Sequence, residues 1–376
     1  MKSNIKKSVG VLTMHRVINY GSFLQAYATQ KIVTDLGFKC EIIDYVFPNE
    51  WHYTHGLNKN KNLKKFISDN IYKLGLIKSH RKRKHINNAI KKYLHLSPIY
   101  RNPTQITNTP PNYDIYITGS DQTWNTKHTR GDTTFLLSFA PNNSKKISFS
   151  ASIAGDSLDD VYRDNFQKYL RKYDAISIRD SNGNKVIEEM INRPAEITLD
   201  PTLILDHNSW ATFASYGTPR FQESNYIVFY LITHSFDPTP YIYELLKKLQ
   251  EKVGLKVYSF TKIPEQFNID YINCSDICIE HFIQLFKNAS FVVTSSFHGT
   301  AFSANFGIPM YSVVDDINNR DDRQASLLSK LGISNCLVPV GTIFENIDPT
   351  YNFEEEQAKL SFMREESIRY LIKNLV

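Results

Sequence analysis

Short, unbroken apolar runs alternate along this chain with stretches whose apolar positions recur at helical spacing. Val9-Gly-Val-Leu-Thr13 reads as a strand buried on both faces. Leu24, Ala28, Ile32 and Leu36 then mark one side of a helix that Gly37 ends, and Cys40 to Val46 supplies a second strand. A strand, a helix and a strand so closely spaced predict a right-handed crossover in a parallel sheet. The rhythm resumes with strands at Asp114–Thr118, Lys146–Ser150 and Asp174–Ile178, helices over 161–170 and 185–190, and a return to the sheet at Ile197–Leu199.

A second alternating series follows, with strands at Tyr226–Ile232, Leu255–Phe260, Phe291–Thr294 and Met310–Val314. The intervening helices span 241–250, 281–287 and 324–331. Between the series, 206–225 holds Gly217, Pro219 and many polar residues and reads as a linker anchored by Trp210. The pattern predicts an α/β protein of two Rossmann-like domains with mostly parallel sheets, 1–206 and 207–376. A closing helix over 353–372 is expected to pack back toward the first domain. Its Glu354, Glu355 and Glu356 suit the positive end of a helix.

Length supports the two-domain reading, since 376 residues exceed what one hydrophobic core usually organises. The net charge of +6 conceals an asymmetry. Lys59 to Lys92 holds twelve Lys or Arg and one acid, Asp69, so the rest of the chain is net negative. This basic stretch falls in a helical insertion at about 57–98. An ordinary solvated face accounts for it, and so does peripheral contact of residues 59–92 with anionic lipid; the lack of any recognised binding fold argues against nucleic acid. Four scattered cysteines suggest a reducing compartment, and Cys274 and Cys278 lack the second ligand pair of a zinc site, so no metal is expected. No apolar run is long enough to cross a membrane and the N-terminus is not a signal sequence. A cytoplasmic protein, peripheral at the inner membrane face, is the expectation.

Ligands of parallel α/β domains meet the carboxyl ends of strands, which singles out the residues after each apolar run. After the first strand come Asn19, Tyr20, Gly21 and Ser22, where helix amides can receive an anion or a sugar oxygen or simply make a turn. No GxGxxG or GxxxxGK[ST] is present, which counts against a dinucleotide or a P-loop nucleotide. Thr118-Gly-Ser-Asp-Gln-Thr-Trp-Asn125 offers Asp121 as a base or hydroxyl-orienting group and Trp124 as a flat face for a sugar; an Asx turn and a core plug are the alternatives. Arg179 follows a strand and presents a fork suited to carboxylate or phosphate, or to a neighbouring acid such as Asp180. Ser295-Ser296-Phe-His298-Gly299 opens a helix of small residues, where an imidazole can donate a proton, hold an anion or close a turn. Beyond it, Asp315 to Arg323 is a polar loop with Arg320 and Arg323.

Taken in order, these segments resemble the polysaccharide pyruvyl transferase family over most of the chain. The resemblance is carried by Val9–Thr13 with Asn19-Tyr20-Gly21 and Leu24-Gln25-Ala26-Tyr27; by Gly119 to Asn125; by Ser177 to Asp180; by Asp200-Pro201-Thr202; and by Ser295 to Thr300. It implies two Rossmann-like domains facing across a cleft as in GT-B enzymes. The implied reaction transfers a carboxyethylidene group from phosphoenolpyruvate to two hydroxyls of a sugar, forming a cyclic ketal and releasing phosphate, with phosphoenolpyruvate as co-substrate and no cofactor. The acceptor would be a sugar or lipid-linked oligosaccharide of a surface polysaccharide.

By the same likeness His298 and Asp121 are the catalytic candidates. Arg179, Ser296, Gly299, Arg320 and Arg323 would hold the donor anion, and Asn19, Tyr20, Gly21 and Trp124 the acceptor. Some members carry arginine where this chain has Ser296. The alternatives are a GT-B glycosyltransferase using a nucleotide sugar and a noncatalytic carbohydrate-binding protein.

Overall fold

The computed structural model describes residues 7–47, 77–221, 223–233, 235–316, 321 and 323–376. The chain divides into two compact units. Unit 1 takes in residues 7–47, 86–204 and 363–376 of the described chain, and unit 2 takes in 77–85 and 205–362.

In unit 1, β1 (Ser8–Leu12), β2 (Lys39–Ile42), β3 (Ile115–Thr118) and β4 (Lys145–Ser148) form a parallel sheet in the order β2-β1-β3-β4. Helix α1 (Tyr20–Asp35) makes the crossover from β1 to β2. Helix α2 (Ile77–Tyr93) follows and buries Ile86, Ala89 and Ile90. Helices α3 (Asp160–Leu170) and α4 (Ser181–Ile191) contribute Phe166, Leu170, Val186, Ile187 and Met190 to a core shared with Tyr116, Trp124, Phe135 and Tyr173. The short strands β5 (Ser177–Ile178) and β6 (Glu196–Ile197) pair in parallel, and bridges from Ile147 to Ala175 and from Ala151 to Ile178 extend the sheet toward them.

Unit 2 is a six-stranded parallel sheet built from β7 (Tyr226–Tyr230), β8 (Lys256–Ser259), β9 (Tyr271–Asn273), β10 (Phe291–Thr294), β11 (Met310–Val314) and β12 (Leu337–Pro339). Its order is β12-β11-β10-β7-β8-β9. All five residues of β7 are buried, as they must be in a central strand covered on both faces. The covering helices are α5 (His207–Ala214), α6 (Tyr241–Val253), α7 (Ile279–Lys287), α8 (Phe297–Phe306) and α9 (Arg323–Leu331), with α10 (Phe353–Leu375) last. Residues 363–376, the end of α10 among them, belong to unit 1, where Tyr370 donates to the Ser148 carbonyl at 2.8 Å.

The periodic pattern places the long elements within a few residues. It fails where polar composition imitates a loop: 206–225 contains α5, capped by Asp206 accepting from the Ser209 amide at 2.8 Å and anchored by fully buried Trp210. The strand expected at Asp174–Ile178 shrinks to two residues, and β9 and β12 are too short and exposed to carry a sequence signal. Of the basic insertion, the described portion includes a single helix, α2, at 77–93; the helices expected in 57–76 and most of the lipid-contact stretch lie outside the described residues.

Each sheet reverses its winding once. In unit 1 this happens between β1 and β3, and in unit 2 between β7 and β10, so the loops leaving those strands diverge and open a crevice at the carboxyl edge. At the other side of β1, a Cβ on Gly10 would lie 2.2 Å from the Tyr113 ring, so only glycine lets the ring cover the strand. Gly10→Val is expected to destabilise the protein by about 1–3 kcal/mol, with Tyr113→Ser in the same chain recovering part of the loss; urea denaturation of the single and double variants checks this.

Candidate functional site

At the carboxyl edge of the unit 1 sheet, polar side chains gather from segments far apart in sequence. Asn19 caps α1, its side chain accepting from the Gly21 amide at 2.8 Å. Tyr20, the first helical residue, is fully buried, so its ring is scaffold. Ser22, one turn in, donates its hydroxyl to Asp121 Oδ2 at 2.6 Å. Asp121 stands just beyond β3 in the left-handed region, at φ 74°, a costly conformation for a residue other than glycine. Its Oδ1 accepts from the Gln122 amide at 2.9 Å and lies 3.5 Å from Arg179 Nη2.

Arg179 emerges from β5 with 1 % of its side-chain surface exposed. Its guanidinium faces two carboxylates of its own unit, bonding to Asp200 through Nη1 and approaching Asp121 through Nη2. Ser120 Oγ donates to Asp200 at 2.8 Å and lies 3.4 Å from Arg179 Nη1. The other Asp200 oxygen accepts from the Thr202 amide at 2.9 Å and hydroxyl at 2.6 Å. Gln25 and Thr13 complete the floor: Gln25 donates to Thr13 Oγ1 at 2.8 Å, and Thr13 donates to the Ser120 carbonyl at 2.8 Å. The fork that the sequence offers to an external anion is therefore turned toward internal acids.

Trp124 is not a sugar platform. Its indole is fully buried, edge-on to Tyr173 at 6.0 Å, and its N–H donates to the Phe135 carbonyl at 3.2 Å. Burial of so large a ring demands a partner for the N–H, and the main chain provides it.

Beside the crevice, buried His15 approaches Asp44 at 3.1 Å, and Arg16 donates twice to the same carboxylate, at 2.5 and 2.6 Å. Burial alone would raise the Asp44 carboxyl, but hydrogen bonds from His15 and Arg16 and their charges outweigh it and hold the group at about 2. This ties the loop after β1 to the end of β2.

In unit 2 the crevice lies where β10 gives way to α8. Thr294 Oγ1 donates to the Tyr230 carbonyl at 2.7 Å and accepts from the Ser296 amide at 3.0 Å. Ser295 Oγ bridges the end of β7, donating to the Ile232 carbonyl at 2.7 Å and accepting its amide at 2.9 Å. Ser296 is the cap of α8, with its hydroxyl 3.4 Å from the Gly299 amide, and His298 is the second helical residue, 7 % exposed. A Cβ on Gly299 would fall 2.3 Å from Thr294 Oγ1, so glycine here keeps the helix start pressed on the strand. Arg323 opens α9, stacks 5.8 Å over the Phe297 ring and is bound by Asp321 at 2.5 and 2.6 Å. Gln324 donates to Ser312 at 2.8 Å, and the Ser312 and Thr300 hydroxyls are 2.7 Å apart, locking α9 and α8 over β11.

Ser296, His298, Gly299 and Arg323 thus assemble at one turn, while Arg320 lies outside the described residues. Sequence reading passed over Ser22 and Asp200 as site residues. Ser22 belonged to the turn it did weigh, and Asp200 to a motif it quoted, but their partners are 99 and 80 residues away. Among the described residues no group of His, Cys, Asp or Glu is arranged to hold a metal ion, and no helix is long and apolar enough to cross a membrane. Burial raises the Cys274 and Cys278 thiols to about 11, which makes poor nucleophiles of them.

Because the Asp44 carboxyl is held below its ordinary 3.8, the triad stabilises the fold fully above about pH 4 and loses that contribution as pH falls toward 2. Asp44→Asn is expected to be less stable than wild type at pH 7, with the difference shrinking through this window; urea midpoints measured from pH 7 down to 2.5 check it.

The folds of solved proteins place these geometries in context. The chain is similar to a Listeria monocytogenes protein assigned as a UDP-N-acetylglucosamine 2-epimerase, at 12 % identity, covering 98 % of this chain and 96 % of that one with a TM-score of 0.55. It is similar to the UDP-GlcNAc 2-epimerase of Neisseria meningitidis bound to UDP-GlcNAc, at 9 % identity, 98 % and 100 % coverage and a TM-score of 0.50. It is similar also to S. aureus MnaA in a co-structure with UDP, at 12 % identity, 99 % and 98 % coverage and a TM-score of 0.50. Likeness at this identity establishes the two Rossmann-like, GT-B-like units. It also corrects the expected reaction: the matching folds, over nearly the whole chain, are described with UDP or as UDP-GlcNAc 2-epimerases, which overturns phosphoenolpyruvate as donor and partner and cyclic-ketal formation as the activity. No curated protein matches the chain by sequence. A sequence model of the polysaccharide pyruvyl transferase family does match, over residues 19–317, and the chain belongs to that family.

Proposed function

We propose that the protein is an enzyme acting on a nucleotide sugar, with unit 2 receiving the diphosphate at the start of α8. Family membership speaks to ancestry and leaves the donor open. The observation that carries this reading is the position of Ser295 to Gly299: a serine-rich turn and a helix N-terminus at the one place where the unit 2 sheet reverses its winding. Amides in the first turn of a helix favour a phosphate, and Gly299 keeps this turn close against β10. His298 supplies the group that binds the leaving diphosphate or returns a proton to it as the bond to the anomeric carbon breaks. Arg323, held against Phe297 by Asp321, keeps a cationic side chain beside the same turn.

Similarity to proteins bound to UDP-GlcNAc and UDP supports the choice of a uridine nucleotide as the first ligand to try. A nucleotide-sugar substrate and four free cysteines fit a reducing, cytoplasmic setting.

Isothermal titration of the full chain with UDP and with UDP-GlcNAc tests the reading. Binding in the micromolar range is expected, with His298→Ala weakening it about tenfold, roughly 1.4 kcal/mol. Gly299→Val, whose side chain meets Thr294, is expected to abolish it. Failure of UDP, UDP-GlcNAc and a panel of other nucleoside diphosphate sugars to bind would overturn the proposal.

A further inference from the structure

Arg323 is the cation that stands beside the turn at α8, yet its fork already carries an anion. Asp321 Oδ1 accepts from Arg323 Nε at 2.6 Å and Oδ2 from Nη2 at 2.5 Å, the two-point geometry in which a guanidinium also receives a phosphate. Helix capping does not account for this acid. Its Oδ1 lies 3.5 Å from the Arg323 amide, at the limit of a hydrogen bond, whereas both of its oxygens engage the guanidinium closely. The two partners also differ in setting. Arg323 is anchored: it opens α9, keeps 9 % of its side chain exposed and lies 5.8 Å over the Phe297 ring, which stands edge-on to the His298 imidazole at 5.3 Å. Asp321 precedes the helix and keeps 21 % of its side chain exposed, so of the two it is the one that water reaches.

Resting on the nucleotide-sugar reading, we infer that Asp321 is an internal competitor for the diphosphate: its carboxylate holds the Arg323 fork until a phosphate group at the start of α8 takes its place. The contact is autoinhibitory. In the exchange the charged hydrogen bonds from Nε and Nη2 pass from carboxylate to phosphate oxygens, the Asp321 carboxylate turns to water, and no covalent bond changes. A ligand with one negative charge replaces Asp321 like for like. A diphosphate brings more charge than it displaces and engages the α8 amides as well, so the contact favours the more highly charged ligand. Burial sets how readily each pair opens. Asp200 in unit 1 has no exposed side-chain surface, and taking it from Arg179 would strand a buried charge, whereas Asp321 is released into solvent that hydrates it. Phe297 keeps the guanidinium in place throughout, because the attraction of the ring for the cation does not depend on which anion faces the fork.

The test is isothermal titration of the full-length protein with UDP and, separately, with inorganic pyrophosphate. Wild type is compared with Asp321→Asn, Asp321→Ala, Arg323→Met and the Asp321→Asn/Arg323→Met double variant, with urea midpoints showing that each is folded. Both Asp321 variants are expected to bind UDP and pyrophosphate about fivefold more tightly than wild type, the order of effect of a part-exposed ion pair. Arg323→Met is expected to bind about tenfold more weakly. In the double variant the gain should vanish, leaving Kd within about twofold of Arg323→Met alone, because Asp321 opposes binding only by occupying that fork.

Equal or weaker UDP binding by Asp321→Asn and Asp321→Ala would mean that the acid only positions the arginine. A gain that survives in the double variant would mean that it repels the ligand from a distance. Either result overturns the inference and leaves the nucleotide-sugar reading standing. If no nucleotide binds any of the proteins, while pyrophosphate binds Asp321→Asn more tightly than wild type and the double variant loses that gain, the reading fails and the competition by Asp321 is upheld. Binding of neither ligand to wild type or to the two Asp321 variants overturns both.

Discussion

The interior of unit 1 is governed by the need to neutralise a buried guanidinium. Arg179, almost wholly withdrawn from water, must face negative charge, because removing one partner of such a pair leaves an uncompensated charge that costs about 3–5 kcal/mol. Asp200 and Asp121 meet that need from different distances, and each recruits hydroxyls: Ser120 and Thr202 on one, Ser22 on the other. The cluster joins the start of α1, the loop after β3 and the exit of β5 through Ser22, Asp121 and Arg179.

Unit 2 solves a similar topological problem with different chemistry. Its sheet also reverses once, and the crevice there is again closed by hydroxyls, with Thr294 and Ser295 stitching β10 to the end of β7. The helix there opens with Ser296, Phe297, His298 and Gly299, and the Asp321 carboxylate nearby is bound to Arg323. The end of β3 in unit 1 is thus surrounded by charge, and the end of β10 in unit 2 by hydroxyls and a helix start.

Most residues that sequence reading selected fall at strand ends, and the structure decides what faces each of them. Strand ends after β1, β3, β5 and β10 are where the polar side chains gather, because the carboxyl edge of a parallel sheet is where loops leave and apolar cover ends. What a side chain does there depends on what faces it. Arg179 looked like a fork for a ligand until Asp200 and Asp121 were brought to it, and Trp124 looked like a platform until Phe135 and Tyr173 enclosed it. Asp200 was visible only as part of a motif, and nothing local marked it as the counter-ion of a residue 21 positions earlier.

The sequence by itself determined the alternation of strand and helix, the parallel sheets and the Gly37 stop of the first helix, since each depends on neighbours within a few residues. Tertiary structure decided that Ser22, Asp121, Arg179 and Asp200 form one charged cluster, that Tyr20 and Trp124 are core, and that Pro- and Gly-bearing 206–225 contains a helix around Trp210. The reason is range: propensity and periodicity act along a few turns of chain, whereas the order β2-β1-β3-β4 joins positions scores of residues apart, and the charge balance exists only once they meet.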